Sequence, residues 1–256
     1  MGARKRKFSV MRKTLLSAAT GVFSWTMTSL SFLLFFGVLG LSLWASWRVK
    51  AVYAKYSQVP ASSGMTGAEV AARILAASGI YDVQIYEGNQ PMGDHYDPLN
   101  KRLILSSQNF RGTSTAALGV AAHECGHAVQ HKMAYAPLNW RMAAVGMTTF
   151  ASQVVFWLPL VGMFTGILSR YTGLMIMAVA WGIIMLFNLV TLPVEFDASA
   201  RAKRILGQMG FIRGSGEAAA VNNVLNAAAL TYVAAFVMSL AYLLFFLLPL
   251  LGGRRN

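Results

Sequence analysis

Charge is scarce in this 256-residue chain. Asp, Glu, Lys and Arg together make up 12%, against about 25% in a soluble domain. The scarcity is concentrated. No charged residue occurs between Lys13 and Arg48, between Arg141 and Arg170, between Arg170 and Glu195, or between Glu217 and Arg254. A helix crosses the hydrocarbon core, about 30 Å thick, with about 20 residues at about 1.5 Å each. All four windows are long enough. Buried helices of soluble proteins rarely run uncharged for so long, so the pattern predicts four membrane spans.

Acid is the scarcer sign, with nine Asp and Glu against 22 Lys and Arg, a net charge of +13. Such an excess invites a nucleic-acid partner, but its placement argues against one. Arg4, Lys5, Arg6, Lys7, Arg12 and Lys13 precede the first apolar run, and Arg254 and Arg255 follow the last. Basic flanks of this kind hold helix ends at anionic lipid headgroups. The interior carries no nucleic-acid motif with stacking aromatics. The single cysteine, Cys125, rules out an intrachain disulfide. A cleaved signal peptide would have an apolar stretch of about 7–15 residues. Phe32–Trp44 has that length but extends back to Phe23 without a charge, which favours an uncleaved anchor.

The order along the chain is then readable. Residues 1–22 form a basic tail, and a first span covers 23–47. Residues 48–143 are the soluble-looking part. Spans two and three fill 144–192, separated at Arg170. Pro193 is expected to open a more polar helical segment over 193–229, and a fourth span and basic end occupy 230–256. Within the soluble part, Thr66-Gly67-Ala68-Glu69 reads as a capping box. The helix it opens has Val70, Ile74 and Leu75 on one face and ends near Gly79. Tyr81–Tyr86 alternates with the period of a strand. Turn residues Asp97–Asn100 separate His95-Tyr96 from Arg102–Leu105. These predict a small antiparallel sheet. Thr113 or Ser114 can cap a helix over Ala116–His131, stopped before Pro137.

That helix carries His123-Glu124-Cys125-Gly126-His127. Residues four apart share a helix face, so both imidazoles can bind one zinc ion. Glu124 then lies beside the open metal position as a general base. With four histidines and five glutamates, chance would give this pattern in about one such chain in a thousand. Zinc still needs a third protein ligand. The metzincin extension is excluded, because Gln130 and Met133 stand where Gly and His would be required. His131 lies about 12 Å along the axis from His123, too far to share the ion. Glu195, after an uncharged run and Pro193, is the first choice, with Asp197 as runner-up and His95 more remote. Cys125 points away from the metal face as buried filler, and Gly126 allows close packing by a neighbouring element.

Several stretches carry a resemblance. They are Ser62–Glu69, Asp94–Pro98, Ala121–Gln130, Tyr135–Leu138, Leu192–Ser199 and Ala229–Ala235, in matching order over roughly 48–240. Through them the chain resembles the YugP-type neutral zinc metallopeptidases, multi-pass bacterial membrane proteins, with the long basic tail as an extension on the family pattern. These are similar in turn to membrane gluzincins of the HtpX and CAAX-prenyl-protease type. There a glutamate on a later helix is the third zinc ligand, with an aspartate four residues on. Glu195 matches the ligand. Position 199 holds Ser199, leaving Ser199 or Asp197 for the supporting role.

The expected fold is mainly α: a four-span transmembrane helical protein with a small zincin-like α+β catalytic domain. The expected activity is Zn2+-dependent hydrolysis of peptide bonds, with His123, His127 and Glu195 on the metal and Glu124 as catalytic base. Protein or peptide substrates, membrane proteins among them, and the lipid bilayer are the expected partners, and nucleic acid is not. Strand Arg102–Leu105 could pair by its edge with an extended substrate. Tyr232, His95, Tyr96 and Arg201 are the candidates for oxyanion or substrate contact. Arg48, Lys50 and Lys55 with Arg201, Lys203 and Arg204, together with the HtpX-type resemblance, favour a cytoplasmic catalytic side in the cell membrane. Two rivals remain: a catalytically inactive zinc-binding membrane scaffold, against which intact Glu124 argues, and a transporter, which would need ionisable groups within the spans.

Overall fold

The computed structural model describes residues 32–165 and 169–252. The expected basic tail, the first part of span one, and Arg254 and Arg255 lie outside the described residues. Helix α1 runs over Phe32–Tyr56, past the expected end of span one. Two compact units divide the chain, residues 1–41 and 42–256. Of the first, residues 32–41 are helical; all elements below belong to the second.

Helix α2, Gly67–Ala77, begins at the capping box read from the sequence. Thr66 accepts from the Glu69 amide, and the Glu69 carboxylate accepts from the Thr66 amide at 2.8 Å. Two of the helix's free donors are thereby satisfied. Its buried face is Val70, Ala71, Ile74 and Leu75. Gly79, at φ +66°, turns the chain away, a conformation that favours glycine.

Three short strands follow: β1 Gln84–Gly88, β2 His95–Asp97 and β3 Arg102–Ser106, in the order β1-β3-β2. The turn at Asp97–Asn100 forms as expected, with Asp97 Oδ1 accepting from the Leu99 and Asn100 amides. It makes β2 antiparallel to β3. β1, however, lies parallel on the other side of β3. The sheet is mixed rather than antiparallel, and β3 is its central strand rather than an edge. Burial gives the reason. Leu103 and Leu105 are both 0% exposed, so β3 seats the sheet on the core and its neighbours flank it. The first strand also starts at Gln84, three residues later than the alternation suggested.

After the short α3, Ser107–Phe110, helix α4 spans Thr115–Lys132, capped by the Ser114 side chain on the Ala117 amide. Its many Ala and Gly residues leave almost every face covered. Helix α5, Ala136–Thr165, carries Pro137 in its first turn, where a missing N–H costs nothing. Helix α6 is one helix from Arg170 to Gln208 with Pro193 inside it. The expected break at Pro193 is absent. Helix α7 covers Gly214–Gly252.

Four helices are long and apolar enough to cross a membrane: Phe32–Tyr56, Ala136–Gly162, Tyr171–Gln208 and Gly214–Gly252. Large apolar side chains such as Phe150, Trp157 and Leu248 face outward on them, as lipid-facing residues do. The protein is thus a mainly helical membrane protein with a small α+β part. At about 1.5 Å per residue, a 39-residue helix is about 58 Å long, nearly twice the hydrocarbon thickness. α6 and α7 therefore extend beyond the bilayer and enter the second unit's core. There Leu206, Val221 and Leu225 meet Ile74, Leu103, Leu105 and Leu118.

Candidate metal centre

His123 and His127 sit one turn apart on α4, their rings 4.8 Å between centroids and nearly perpendicular. α6 runs against the same face. The close approach depends on Gly126, where a Cβ would meet the Ala198 carbonyl oxygen at 2.8 Å and its Cα at 3.1 Å. With no side chain in the way, Glu195 reaches the histidines. Its Oε2 is 3.2 Å from His123 Nε2 and 3.6 Å from His127 Nε2. The three side chains offer donor atoms within 4.8 Å of one another. Glu195 is 1% exposed. Asp197 and His95 are not in this group.

Each donor is held from behind. His127 Nδ1 is 3.0 Å from Gln130 Oε1, and the Gln130 amide nitrogen donates to the Val194 carbonyl and to Asp197 Oδ2, both at 2.8 Å. Those two partners only accept, which fixes the amide: its nitrogen faces α6 and its oxygen faces His127. His127 must then carry its hydrogen on Nδ1, leaving the Nε2 lone pair toward Glu195. His123 Nδ1 is 3.1 Å from Ser199 Oγ, the same arrangement with a hydroxyl as support. Arg201 Nε donates to Asp197 Oδ2 at 2.6 Å, and Arg141 Nη1 donates to Glu195 Oε1 at 2.9 Å. Asp197 and Ser199 therefore divide the support between them, one through Gln130 and one directly.

Two imidazole lone pairs and a carboxylate oxygen facing one another repel unless a cation or proton lies between them. A proton on His127 is one such answer. Burial pulls the His127 pKa down, but the Glu195 hydrogen bond and the charges of Glu124 and Glu195 outweigh it and hold it above the ordinary value. Such a donor set suits a borderline-soft divalent cation. The family described as "Putative neutral zinc metallopeptidase" matches residues 31–250 of the chain. The chain belongs to that family. Among curated proteins, the "Putative membrane protease YugP" of Bacillus subtilis (strain 168) is 47% identical over 217 residues, 84% of this chain and 94% of the relative. No solved structure matches.

For a zinc peptidase family, the two imidazoles and one carboxylate are a fitting donor set. The other residues singled out from sequence are distributed as follows. Glu124 is buried beside the group. Tyr232, on α7, lies within electrostatic reach of Glu195, Glu124 and Arg141. Arg201 is engaged by Asp197 and by the Met133 sulfur at 3.2 Å. His95 is exposed and bonds Gly93 O at 2.8 Å. Tyr96 bonds His131 Nδ1 at 2.8 Å, beside a cleft of about 590 Å³ that also includes Asp82 and Lys101. Burial beside Asp82 and Asp97 pushes the Tyr96 phenol up to about 12. Cys125 is fully buried against Ala71 O, and burial pushes its thiol up.

Sequence reasoning passed over Gln130 and Arg141. Each left a signal. Gln130 stands three residues after His127, and i, i+3 positions share a helix face. Arg141 heads one uncharged run and Glu195 ends the next, which places opposite charges at one end of the α5–α6 pair.

Proposed function

We propose that this protein is a membrane-embedded zinc endopeptidase of HExxH type in which His123, His127 and Glu195 hold the metal and Glu124 is the general base. The observation that carries this reading is the convergence of two imidazole Nε2 atoms on one carboxylate oxygen from a helix 72 residues away, with both Nδ1 atoms engaged elsewhere. Bound zinc supplies Lewis acidity toward a substrate carbonyl and toward a water molecule. Glu124 would take a proton from the water as its oxygen adds to the substrate carbonyl carbon, and would return that proton to the leaving amine as the C–N bond breaks. Gln130 and Ser199 hold the histidines in the tautomer and orientation that metal binding needs. Arg141 occupies Oε1 of Glu195 and leaves Oε2 for the metal. Tyr232 is the group best placed to donate to the developing oxyanion. An extended substrate would pair with β2, the edge strand that packs on α4, rather than with β3.

The catalytic side is assigned to the cytoplasm. Two spans separate His127 from Glu195, so both return to one side. Arg48, Lys50, Lys55, Arg201, Lys203 and Arg204 crowd that side near the span ends.

The test is Glu124→Gln in the full-length protein. It should retain stoichiometric zinc by elemental analysis while cleavage of a loosely folded protein such as casein falls by several orders of magnitude. Near-normal turnover would remove Glu124 from the mechanism. Stoichiometric zinc in a wild type that hydrolyses nothing would favour the scaffold reading.

A further inference from the structure

Between α6 and α7 lies an open groove of about 410 Å³. One end is apolar, formed by Phe196, Ala229, Leu230 and Val233; the other is polar, formed by Lys203 and Asn226. The two ends follow the membrane axis. On α6 the uncharged run ends at Glu195, and Lys203 lies eight residues further on, about 12 Å along the helix toward water. On α7, Asn222, Asn223 and Asn226 precede the apolar run that starts near Leu230. The groove therefore straddles the membrane surface with its oily part inward.

Lys203 is the informative residue. Its ammonium donates to the neutral Asn226 Oδ1 at 2.7 Å, and among the described residues it has no carboxylate partner. Arg201, two residues earlier on α6, is by contrast ion-paired with Asp197. A half-buried lysine at the water end of an apolar slot complements a molecule with an anionic head and a hydrocarbon tail. Basic pockets between membrane helices bind lipid headgroups in this way. A peptide ending in a carboxylate fits less well. Its terminal charge would sit roughly 12 Å along α6 from Glu195, several residues from any bond cleaved there.

We propose that this groove is a binding site for an anionic phospholipid, with the phosphate on Lys203 and Asn226 and one acyl chain along Phe196, Leu230 and Val233. Ser199 lines the same groove and also contacts His123 Nδ1, so the bound tail packs against the support of a proposed metal donor. The site stands independently of hydrolysis, because lipid binding can be counted without zinc or substrate.

The experiment is native mass spectrometry of the full-length protein in detergent. It is titrated with phosphatidylglycerol, with phosphatidylcholine of identical chains, and with glycerol phosphate as the headgroup alone. Phosphatidylglycerol should bind about tenfold more tightly than phosphatidylcholine, the scale of one charge-assisted hydrogen bond, and glycerol phosphate should not bind. Lys203→Gln should abolish the preference and Lys203→Arg keep it. Arg213→Gln, an exposed cation off the groove, should also keep it. Ala229→Phe should fill the tail slot and weaken both lipids. Where that variant fails to fold, a photoreactive acyl chain on the wild type decides, with label expected within 196–203 or 226–233. Equal affinity for the two lipids, a preference that survives Lys203→Gln, or label confined to other helices overturns the proposal. Tight binding of glycerol phosphate would overturn it too, by showing an ion site with no role for the chain.

Discussion

Gln130→Met is the substitution that most directly probes how the proposed centre is held. Methionine nearly matches glutamine in volume and removes both the amide's donors and its acceptor. Three hydrogen bonds disappear, at 3.0, 2.8 and 2.8 Å. Asp197 keeps Arg201, but the Val194 carbonyl and His127 Nδ1–H are left without these partners in a buried site. Unpaired buried groups cost about 1–3 kcal/mol each, so the fold should lose about 2–6 kcal/mol. The metal-specific effect is separable. Loss of the partner that orients a ligating histidine typically weakens metal binding by about 10- to 100-fold, equivalent to about 1.4–2.7 kcal/mol. The assay is zinc partitioning between the purified protein and a competing chelator, run beside Cys125→Ala as a control on the same helix. At saturating zinc, kcat should recover most of its value, because the hydrogen bonds of Gln130 go to His127, Val194 and Asp197 and not to Glu124, the proposed base. Wild-type zinc affinity in a folded Gln130→Met protein would refute the view that Gln130 sets the His127 tautomer.

Glu195→Ala should lose zinc as fully as His123→Ala, whereas Asp197→Ala should retain it at reduced affinity, read by elemental analysis after dialysis; the reverse order would transfer the ligand role to Asp197. Gly126→Ala puts a Cβ within 2.8 Å of backbone on α6, so it should cost about 1–3 kcal/mol by overpacking and lower zinc content, seen together in thermal melts and metal analysis. Zinc affinity should also depend on pH with a definite sign. His127 in the metal-free site has a raised pKa, and zinc must displace that proton. The plot of log Kd against pH should therefore break above the ordinary imidazole value of about 6.5, affinity falling as pH drops below the break. The metal-free protein should behave oppositely, its His127 contribution to stability present at acid pH and lost as pH rises through the raised pKa. A break at or below the ordinary value would contradict the coupling of His127 to Glu195.

What the sequence made legible was local or periodic. The capping box at Thr66 and Glu69, the histidine pair on one helix turn and the four uncharged runs each depend on residues close together in the chain. Glu195 was legible because a lone acid at the end of an uncharged run is costly enough to stand out. The strand order was not, since β1 and β3 pair across 13 intervening residues and nothing local selects parallel over antiparallel. Pro193 misled for a related reason. Proline removes one helical hydrogen bond and usually ends or kinks a helix, but packing of α6 against α4, α5 and α7 carries the helix through. Gln130 escaped notice because its partners, Val194 and Asp197, lie on another helix more than sixty residues later.

The continuity of α6 through Pro193 has a consequence for when activity can arise. In chain order the proposed donors are separated by all of α5 and by the membrane-crossing part of α6. A nascent chain that has completed α4 presents His123, Glu124 and His127 but not Glu195. Glu195 reaches them only after both intervening helices have been synthesised, inserted and folded back against α4. Completion of the proposed donor group would therefore wait on the insertion and packing of α5 and α6, and a molecule stalled before that step would lack the site.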